Sequence, residues 1–590
     1  MNNRLRLIFV TLGVMAVVAT ALPMLAVWRA PKVLPPLPAV TSNTVVVDLR
    51  DDASAAGISK LETQYRIDLE LNSLYADDEN LMRATVPAGQ DPATLAAQLR
   101  RDPQVEAAEQ EVVFSVPERG MKRTKSKADA VPPSSATGIE PAAHGGFVPN
   151  DPRYPEQWNL RMIGAPAAWR RSRGEGVVVA VIDTGVAADS PRGHRAKDFS
   201  QTRFTAGYDF VHDDADPYDD NGHGTHVAGT IAESTNNREG VAGLAFAATV
   251  MPLKVLSAEG WGTSSDVADA IRYAADHGAH VINMSLGSAL PSRVVADAVR
   301  YAARKGVVIV CAAGNGFGEG VGYPAAFPEC IAVSAVGPSG DLALYSSYGQ
   351  EVTLAAPGGD MLSGAQADGI LQNTIFPTEQ GGDGDDYYFF QGTSMATPHV
   401  AATAALLMAQ GVRDPALVRD LLVRSVTLRE PKLKYGAGIL AAGTATAMAA
   451  NQTRLRLLKW VVFALLAGWI FVWPRGLSFR RRVAFVAALW VGCFGPDRLA
   501  AWVGADTAWN LLGCSAFVPF MLFWEWEEGH GSRLVAVLAL GVALGLTWNL
   551  MMATLPFTPT TFGNRALPWA VTNVAAALLL AALAWRRGQS

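Results

Sequence analysis

The sequence predicts an α/β protein built on buried parallel strands, and two segments indicate this class. Residues 177–182 form a continuous apolar run rich in β-branched side chains, which is typical of a strand buried on both faces of a parallel sheet. The run ends in Asp183, and an acid at the carboxyl end of such a strand lies where α/β sheets build their sites. Gly392-Thr393-Ser394 then leads into residues 395–408, a small-residue segment that predicts a helix.

Ser394 is the candidate nucleophile. At the entry to a helix its hydroxyl lies beside the unpaired N–H groups and the positive end of the dipole, both of which favour developing negative charge. A serine hydroxyl is protonated at neutral pH and requires a neighbouring base. His223, on a glycine-rich turn that opens a second small-residue helix, is the candidate base, and Asp183 precedes it in the chain. Asp, His, Ser is one of three chain orders in which this triad occurs.

Four motifs in this order resemble the signature set of the subtilisin-like serine proteases. They are Val-Ile-Asp-Thr-Gly at 181–185, Gly-His-Gly-Thr-His-Val-Ala-Gly at 222–229, Ala-Ala-Gly-Asn at 312–315 and Gly-Thr-Ser-Met-Ala-Thr-Pro-His at 392–399. The resemblance, to a thermitase-like catalytic domain, covers residues 151–450. It implies a doubly wound α/β domain with a mostly parallel central sheet.

The resemblance also implies the parts of a peptide-hydrolysing site. Asp183, His223 and Ser394 would form the triad, and Asn315 with the backbone N–H of Ser394 would stabilise the oxyanion. Gly322 matches the floor of the primary specificity pocket, where a glycine leaves room for large apolar P1 side chains. The substrate-binding positions that the resemblance implies are Ser285, Leu286, Gly287, Ala312, Gly314 and Gly322.

Composition excludes some other functions. The 590 residues carry a formal net charge of -5 and no dense basic stretch, which gives no reason to expect a nucleic-acid partner. Paired Cys/His metal motifs are absent from the sequence. His226 and His399 are predicted to be packed structural histidines, and the spacing of His223 and His226 does not suit a catalytic zinc.

Calcium is the expected cofactor, in a structural role at two sets of oxygen ligands, because a cation relieves the repulsion of crowded carboxylates. A solvated acidic loop is the alternative interpretation at both places. The first set lies just before the histidine motif, and the second combines separate segments. The ligands are Asp209, Asp214 and Asp216 in the first set and Asp151, Asp198, Asn237 and Val241 in the second.

The N-terminal part predicts export and inhibition. Residues 7–28 carry no charge and follow Arg4 and Arg6, so residues 1–30 are predicted to be an uncleaved signal anchor or a cleaved signal peptide. Residues 43–118 have the pattern of a small α+β unit, similar in position to the inhibitory propeptide of subtilases; a generic interaction module is the alternative. Residues 119–150 are predicted to be a linker where processing could occur.

The C-terminal part, 451–590, is predicted to be a helical transmembrane bundle of about five spans. If the arginine clusters lie on the cytoplasmic side of a bacterial-type inner membrane, residues 30–450 lie on its extracytoplasmic side. The spans are 457–473, 483–503, 507–524, 534–556 and 566–585.

Together these features predict a membrane-anchored serine endopeptidase, made as a self-processed zymogen, that hydrolyses proteins or peptides through an acyl-enzyme. Its own propeptide would be an intramolecular inhibitor and the membrane a further partner. Two alternatives stay open: a transporter or sensor with an accessory protease domain, and a catalytically inactive binding module.

Two smaller expectations complete the sequence analysis. Asp360–Tyr388 is expected to be a surface insertion near the cleft. Cys311 and Cys330 fall on segments predicted to be neighbouring strands, and the sequence leaves a disulfide and two buried free thiols equally open.

Overall fold

The computed structural model describes most of the chain between residues 42 and 587. The described residues are 42–50, 52–76, 80–116, 124–125, 147–318, 320–362, 364–376, 384–472, 479, 481–490, 530–551 and 566–587. The predicted anchor at 7–28, most of the 119–150 linker and the predicted span at 507–524 lie outside the described residues.

Seventeen strands are described, most of them in residues 151–450. In chain order they are β1 Thr44–Leu49, β2 Glu70–Leu71, β3 Leu81–Thr85, β4 Val105–Gln110, β5 Val113–Ser115, β6 Thr124–Lys125, β7 Val178–Asp183, β8 Arg203–Phe204, β9 Tyr208–Asp209, β10 Thr249–Lys254, β11 Trp261–Thr263, β12 Val281–Met284, β13 Val308–Ala312, β14 Ile331–Val336, β15 Val352–Pro357, β16 Ile370–Phe376 and β17 Gly384–Phe390.

The α-helices follow the same order. They are α1 Ala55–Tyr65, α2 Pro92–Leu99, α3 Trp158–Met162, α4 Ala165–Trp169, α5 His223–Ala232, α6 Ser264–Asp276, α7 Arg293–Arg304, α8 Thr393–Ala409, α9 Pro415–Arg424, α10 Lys432–Tyr435, α11 Ala442–Val472, α12 His530–Met551 and α13 Ala566–Arg587.

A parallel sheet forms the centre of residues 151–450. Its order is β15-β14-β13-β12-β7-β10-β8, with β9 also pairing β10, and every pairing in it is parallel. Side chains alternate between the two faces along β7. Val179 and Val181 join the core that includes α5 and α8, whereas Ala180 and Ile182 join the core that includes α6 and α7. Helices therefore cover both faces, and the α/β class with a mostly parallel sheet, predicted from sequence, is confirmed.

Residues 44–110 form an antiparallel sheet of order β2-β3-β1-β4. On β1, Val45 and Val47 pack with α1 and α2 in a core of their own. Val46 points to the other face and belongs to the core that contains α6 and α7. The period of two along β1 thus attaches this α+β unit to the catalytic part through one face of its sheet.

The segment 360–388 differs from the expected surface insertion. It contributes β16, and with the end of β17 it forms an antiparallel hairpin whose side chains from Ile370 to Ile375 and from Tyr387 to Phe390 are buried. His226 stacks on Phe390 with ring centroids 4.2 Å apart. The polar tip at 381–386 suggested a loop, but the apolar residues on both sides of it pack against α5 and so make the hairpin part of the core.

The C-terminal prediction finds no support in the part of the chain that is described. Across those residues, none of the helices combines the length and the apolar character needed to cross a membrane. Two of them, α12 and α13, pack together.

Cys311 and Cys330 are buried free thiols, which decides between the two alternatives left open by the sequence. They lie on β13 and immediately before its neighbour β14, as predicted. Burial and the adjacent Cys330 thiol raise the pKa of Cys311 well above its usual value.

Candidate active site

Asp183 is the last residue of β7, between β10 and β12 near the middle of the parallel sheet. Its Oδ1 accepts a hydrogen bond from the backbone N–H of Thr184 at 2.7 Å and lies 2.7 Å from Nδ1 of His223. Both the Asp183 and the His223 side chains are fully buried. The carboxylate can therefore hold the imidazole in one orientation and keep the proton on Nδ1, which leaves Nε2 to act as a base.

His223 begins α5, and the glycines around it are required by close backbone contacts. A Cβ on Gly222 would meet the carbonyl oxygen of Ile375 at 2.0 Å, and one on Gly224 would meet that of Gly185 at the same distance. Gly222 also has a φ of 92°, which L side chains rarely adopt. The Gly-His-Gly motif thus lets the helix approach both β7 and the β16–β17 hairpin.

Ser394 is the second residue of α8. Its Oγ donates to the carbonyl oxygen of Ser285 at 3.0 Å, and the Oγ of Ser285 donates back to the carbonyl oxygen of Ser394 at 2.8 Å. This reciprocal pair fixes the end of β12 beside the candidate nucleophile. At the start of α8, the N–H of Thr393 donates to Asn315 Oδ1, and those of Met395 and Ala396 donate to the oxygen of Gly392.

Asn315 follows β13 and is held by Thr393. Its Oδ1 accepts from the N–H of Thr393 at 3.0 Å and from Oγ1 of Thr393 at 2.9 Å. Because both bonds use the amide oxygen, the side chain directs its Nδ2 donor away from Thr393. An amide donor fixed in this way suits stabilisation of an oxyanion. Sequence analysis named Asn315 but missed the role of Thr393, although it is the residue before the serine.

The cleft beside Ser394 contains the strand β5, from the α+β unit. β5 pairs antiparallel with β11, and Ser115 also exchanges two hydrogen bonds with Gly287: its N–H donates to the Gly287 oxygen at 3.0 Å, and Gly287 N–H donates back at 2.9 Å. Val116 N–H donates to the oxygen of Gly260 at 3.2 Å. The chain's own segment is therefore held between two strands as an extended peptide would be.

Sequence analysis named one wall of this cleft and missed the other. Ser285, Leu286 and Gly287 lie together at the end of β12, as expected. The opposite wall, Gly260 with β11, was not named, although the Gly-Trp-Gly sequence at 260–262 was a usable signal. A Cβ on Gly262 would lie 1.9 Å from the oxygen of Val255, which explains the small residue there.

The remaining substrate-binding candidates surround Gly322. Its N–H donates to the oxygen of Ala313 at 3.0 Å, and the next residue, Tyr323, pairs with Ser288 through two hydrogen bonds of 2.9 Å. A Cβ on Gly322 would lie 3.0 Å from the oxygen of Ser288. Ala312 ends β13, and Gly314 follows it with a φ of 110°. These positions form one continuous surface next to Asn315.

The first set of predicted calcium ligands does not fit a cation, because an arginine already occupies that place. The guanidinium of Arg192 contacts Asp209 at 2.9 Å, also contacts Asp214, and lies 3.5 Å from Asp216. His212 Nδ1 lies 2.8 Å from the same Asp209 carboxylate. As arranged here, Asp209, Asp214 and Asp216 do not fit the predicted calcium ion, because the arginine supplies the positive charge that crowded carboxylates need.

The structure brings the second set of predicted calcium ligands together, and N–H groups donate hydrogen bonds to its two carboxylates. Asp151 accepts from the N–H groups of Asn236 at 2.8 Å and Asn237 at 3.2 Å. Asp198 accepts from Asn237 Nδ2 at 2.7 Å and from Val241 N–H at 2.9 Å. The pKa of Asp198 is raised to about 8, mainly by burial and to a smaller extent by the charges of Glu239 and Asp151.

A calcium ion there would rely on two carboxylates with amide and carbonyl oxygens. Among the residues that the structure describes, no group of three or more His, Cys, Asp or Glu side chains is placed to hold a metal. The raised pKa of Asp198 nevertheless marks a place where a bound cation would be favourable, since it would offset the burial of a charged carboxylate.

The two structural histidines lie in the interior. His226 Nε2 is 3.1 Å from the oxygen of Ile370 and 3.2 Å from that of Tyr388. His399 Nε2 is 2.7 Å from Nδ2 of Asn159, and burial lowers the pKa of His399 to about 4. Both therefore tie α5 and α8 to their surroundings.

A parallel sheet that carries a buried Asp–His pair, with a serine at a helix entry and an oriented asparagine amide, defines a serine hydrolase of the Asp-His-Ser type. Comparisons with known proteins agree with this class. Residues 174–439 match the model of the Subtilase family. Thermitase from Thermoactinomyces vulgaris is 40% identical over 266 residues, which cover 45% of this chain and 87% of thermitase. The chain therefore belongs to the subtilase family.

Other relatives match over smaller shares of their length. Halolysin from Haloferax mediterranei is 41% identical over 305 residues. The match covers 51% of this chain and 54% of halolysin, so the chain spans about half the length of that relative. The crystal structure of fervidolysin from Fervidobacterium pennivorans matches with a TM-score of 0.56 and 24% identity. It covers 69% of this chain and 61% of that one, and this likeness concerns the fold.

Proposed function

We propose that the chain is the zymogen of an endopeptidase that hydrolyses proteins and peptides outside the cytoplasm, with residues 43–118 as its inhibitory prodomain. One observation carries the proposal. Ser115 and Val116 are bound between β11 and Gly287 by main-chain hydrogen bonds, next to the serine at the start of α8. A strand held in this way imitates a substrate and excludes others.

In the proposed mechanism, His223 accepts the hydroxyl proton of Ser394 as Oγ attacks the scissile carbonyl carbon. Asp183 stabilises the imidazolium that results. The Asn315 amide and the N–H of Ser394 donate to the oxyanion. His223 then gives the proton to the leaving amine, and water hydrolyses the acyl-enzyme by the same route.

Two glutamates support the inhibitory role of residues 43–118. Glu109 accepts from Ser292 Oγ and from the N–H of Arg293 at 2.7 Å, at the start of α7. Glu111 accepts from Ser265 Oγ at 2.6 Å, at the start of α6. Both carboxylates lie at the positive ends of helix dipoles, where negative charge is stabilising.

Localisation follows from the sequence. We propose that residues 7–28 direct the chain into or across a bacterial-type inner membrane, with the catalytic part on the extracytoplasmic side. Membrane attachment through the C-terminal part stays a prediction that cell fractionation of the full chain would test. Calcium at Asp151, Asp198, Asn237 and Val241 is likewise proposed as a structural ion, and loss of thermal stability in EDTA would be its signature.

The proposed function is tested with a fluorophosphonate probe on membranes and medium from cells that express the full chain. Wild type should be labelled, with the prodomain removed, whereas Ser394→Ala should be unlabelled and remain at full length. Labelling that persists in Ser394→Ala would overturn the assignment of the nucleophile. A Ser394→Ala protein of mature size would instead show that another protease performs the processing.

A further inference from the structure

The β16–β17 hairpin lies beside two of the proposed catalytic residues. Thr374, in β16, donates its hydroxyl to the oxygen of Gly222, the residue before His223. β17 ends at Phe390, and the chain reaches Ser394 only four residues later. The hairpin therefore adjoins the residue before His223 and leads directly into the segment that carries Ser394.

A second short strand of the chain's own N-terminal part pairs with this hairpin. β6 is antiparallel to β17, with Lys125 opposite Tyr388 and Thr124 opposite Phe389. β16 holds the other edge of β17, which makes a three-stranded sheet of order β16-β17-β6. In the described residues β6 is the strand that covers this edge of β17, so its removal exposes a strand edge.

The order of β5 and β6 along the chain indicates which side of the scissile bond would reach β17. β5 occupies the cleft up to Ser115 and Val116, and Thr124 follows nine residues after Ser115. The segment that enters between β11 and Gly287 thus continues, in the N-to-C direction, to a strand pairing on the hairpin. With the scissile bond between β5 and β6, the corresponding residues of a substrate would lie on its leaving-group side.

We propose that, once the N-terminal segment has been removed, β17 is a docking strand for the leaving-group side of an extended polypeptide substrate. The occupant is an unfolded stretch of protein chain that adds to β17 as β6 does in the zymogen. Main-chain hydrogen bonds would supply the affinity, so the surface tolerates many sequences. It favours long, extended substrates over short peptides. This inference rests on the proposed function.

The test uses the processed enzyme obtained from the full chain, with active sites titrated by the fluorophosphonate probe. A nested peptide series keeps the residues before the scissile bond constant and carries two, four, eight or ten residues after it. We expect kcat/KM to increase by roughly five- to tenfold once the peptide is long enough to reach β17, since about two additional main-chain hydrogen bonds then form. A value that is constant with length would overturn the proposal.

N-methylation of single amides in the longest peptide distinguishes strand pairing from other contacts. Successive N–H groups of a paired strand point alternately towards the partner and away from it. Methylation at every second position should therefore abolish the gain, while the interleaved positions serve as matched controls. A gain that is lost at neither set, or equally at both, would contradict pairing with β17. Failure to cleave any peptide of the series would count instead against the proposed function.

Discussion

Thr393 donates two hydrogen bonds to the amide oxygen of Asn315, one from its backbone N–H and one from its hydroxyl. The residue before the candidate nucleophile thereby orients the candidate oxyanion donor. The N–H of Gly314 also lies 3.2 Å from the same hydroxyl. The Thr393 hydroxyl therefore links the end of β13 to the start of α8. Thr393 is thus a positioning residue for the Asn315 amide.

Removing this hydroxyl should lower kcat more than it raises KM. In Thr393→Val the amide of Asn315 keeps one of the two bonds that fix it, so we expect kcat to fall about tenfold. Asn315→Ala should cost about 10²–10³-fold, which is the range for loss of an oxyanion donor. Thr393→Ser retains the hydroxyl and serves as the control. If Thr393→Val and Asn315→Ala multiplied fully in the double variant, the two residues would be acting independently.

The ion pair between Arg192 and Asp209 should stabilise the folded protein. Asp209 is fully buried, and Arg192 is its cationic partner. Arg192→Ala should therefore lower the free energy of unfolding by about 1–3 kcal/mol, as loss of a hydrogen bond to a charged group does. Thermal or urea denaturation of the Ser394→Ala protein, which avoids self-digestion, measures the change.

Calcium provides the discriminating comparison for this loop. Added Ca²⁺ should recover part of the stability of Arg192→Ala, because three carboxylates then lack their arginine. The gain in the free energy of unfolding on adding Ca²⁺ should therefore be larger for Arg192→Ala than for its parent. Arg192→Lys keeps the charge and is the control. Equal stability of Arg192→Ala and its parent would mean that the arginine does not stabilise the loop.

The sequence was sufficient to place Asp183 next to His223, because the motif around His223 has neighbours that are sterically required. A Cβ on Gly222 or Gly224 would meet a carbonyl oxygen, so these two glycines leave a recognisable pattern. The parallel sheet was predictable for a similar reason, since residues 177–182 are apolar on both faces.

The incorrect expectations involve partners distant in the chain. Nothing near Asp209 shows that Arg192, 17 residues earlier, will neutralise it. Counting carboxylates in one loop therefore suggested a cation site where a side chain already supplies the charge. In β16 and β17 a polar tip concealed two buried strands, because their packing against α5 depends on tertiary contacts with His226.

The contact between the prodomain and α6 should depend on pH. Asn72 Nδ2 donates to Asp269 at 2.8 Å and to Asp266 at 3.3 Å, and Ser73 Oγ donates to Asp269 at 2.7 Å. Burial raises the pKa of Asp266 to about 7 and that of Asp269 to about 6. The charge of Glu111 contributes to the raised pKa of Asp266, and that of Asp213 to the raised pKa of Asp269, both to a smaller extent than burial, whereas Arg83 opposes both shifts.

The direction of the effect follows from these raised pKa values. When the prodomain leaves, both carboxyl groups return to water and to a pKa of about 4. Docking is therefore strongest below about pH 4 and weakens as the pH rises through 6 to 7, where the buried groups must ionise.

Hydrogen exchange of β1 to β4 in Ser394→Ala, corrected for intrinsic rates, should show protection falling about tenfold or more between pH 5 and 7. Asp266→Asn with Asp269→Asn should flatten this profile, and the exposed Glu106→Gln should leave it unchanged. A profile that stays steep in the double variant would exclude these carboxyl groups as its source.

The last prediction concerns the size of the P1 side chain. Gly322 is fixed on both sides by main-chain bonds, through its own N–H to Ala313 and through Tyr323 to Ser288, so its backbone cannot easily move to accommodate a side chain. A Cβ at this position would already lie 3.0 Å from the Ser288 oxygen. Gly322→Val should therefore lower kcat/KM for peptides with Phe or Leu at P1 by more than tenfold, and peptides with Ala at P1 should lose much less. Gly320→Ala, where a Cβ meets nothing within 4 Å, is the matched control. A uniform loss across all P1 residues in Gly322→Val would indicate damage to the nearby Asn315 region, because only a narrowed pocket discriminates by the size of the side chain that enters it.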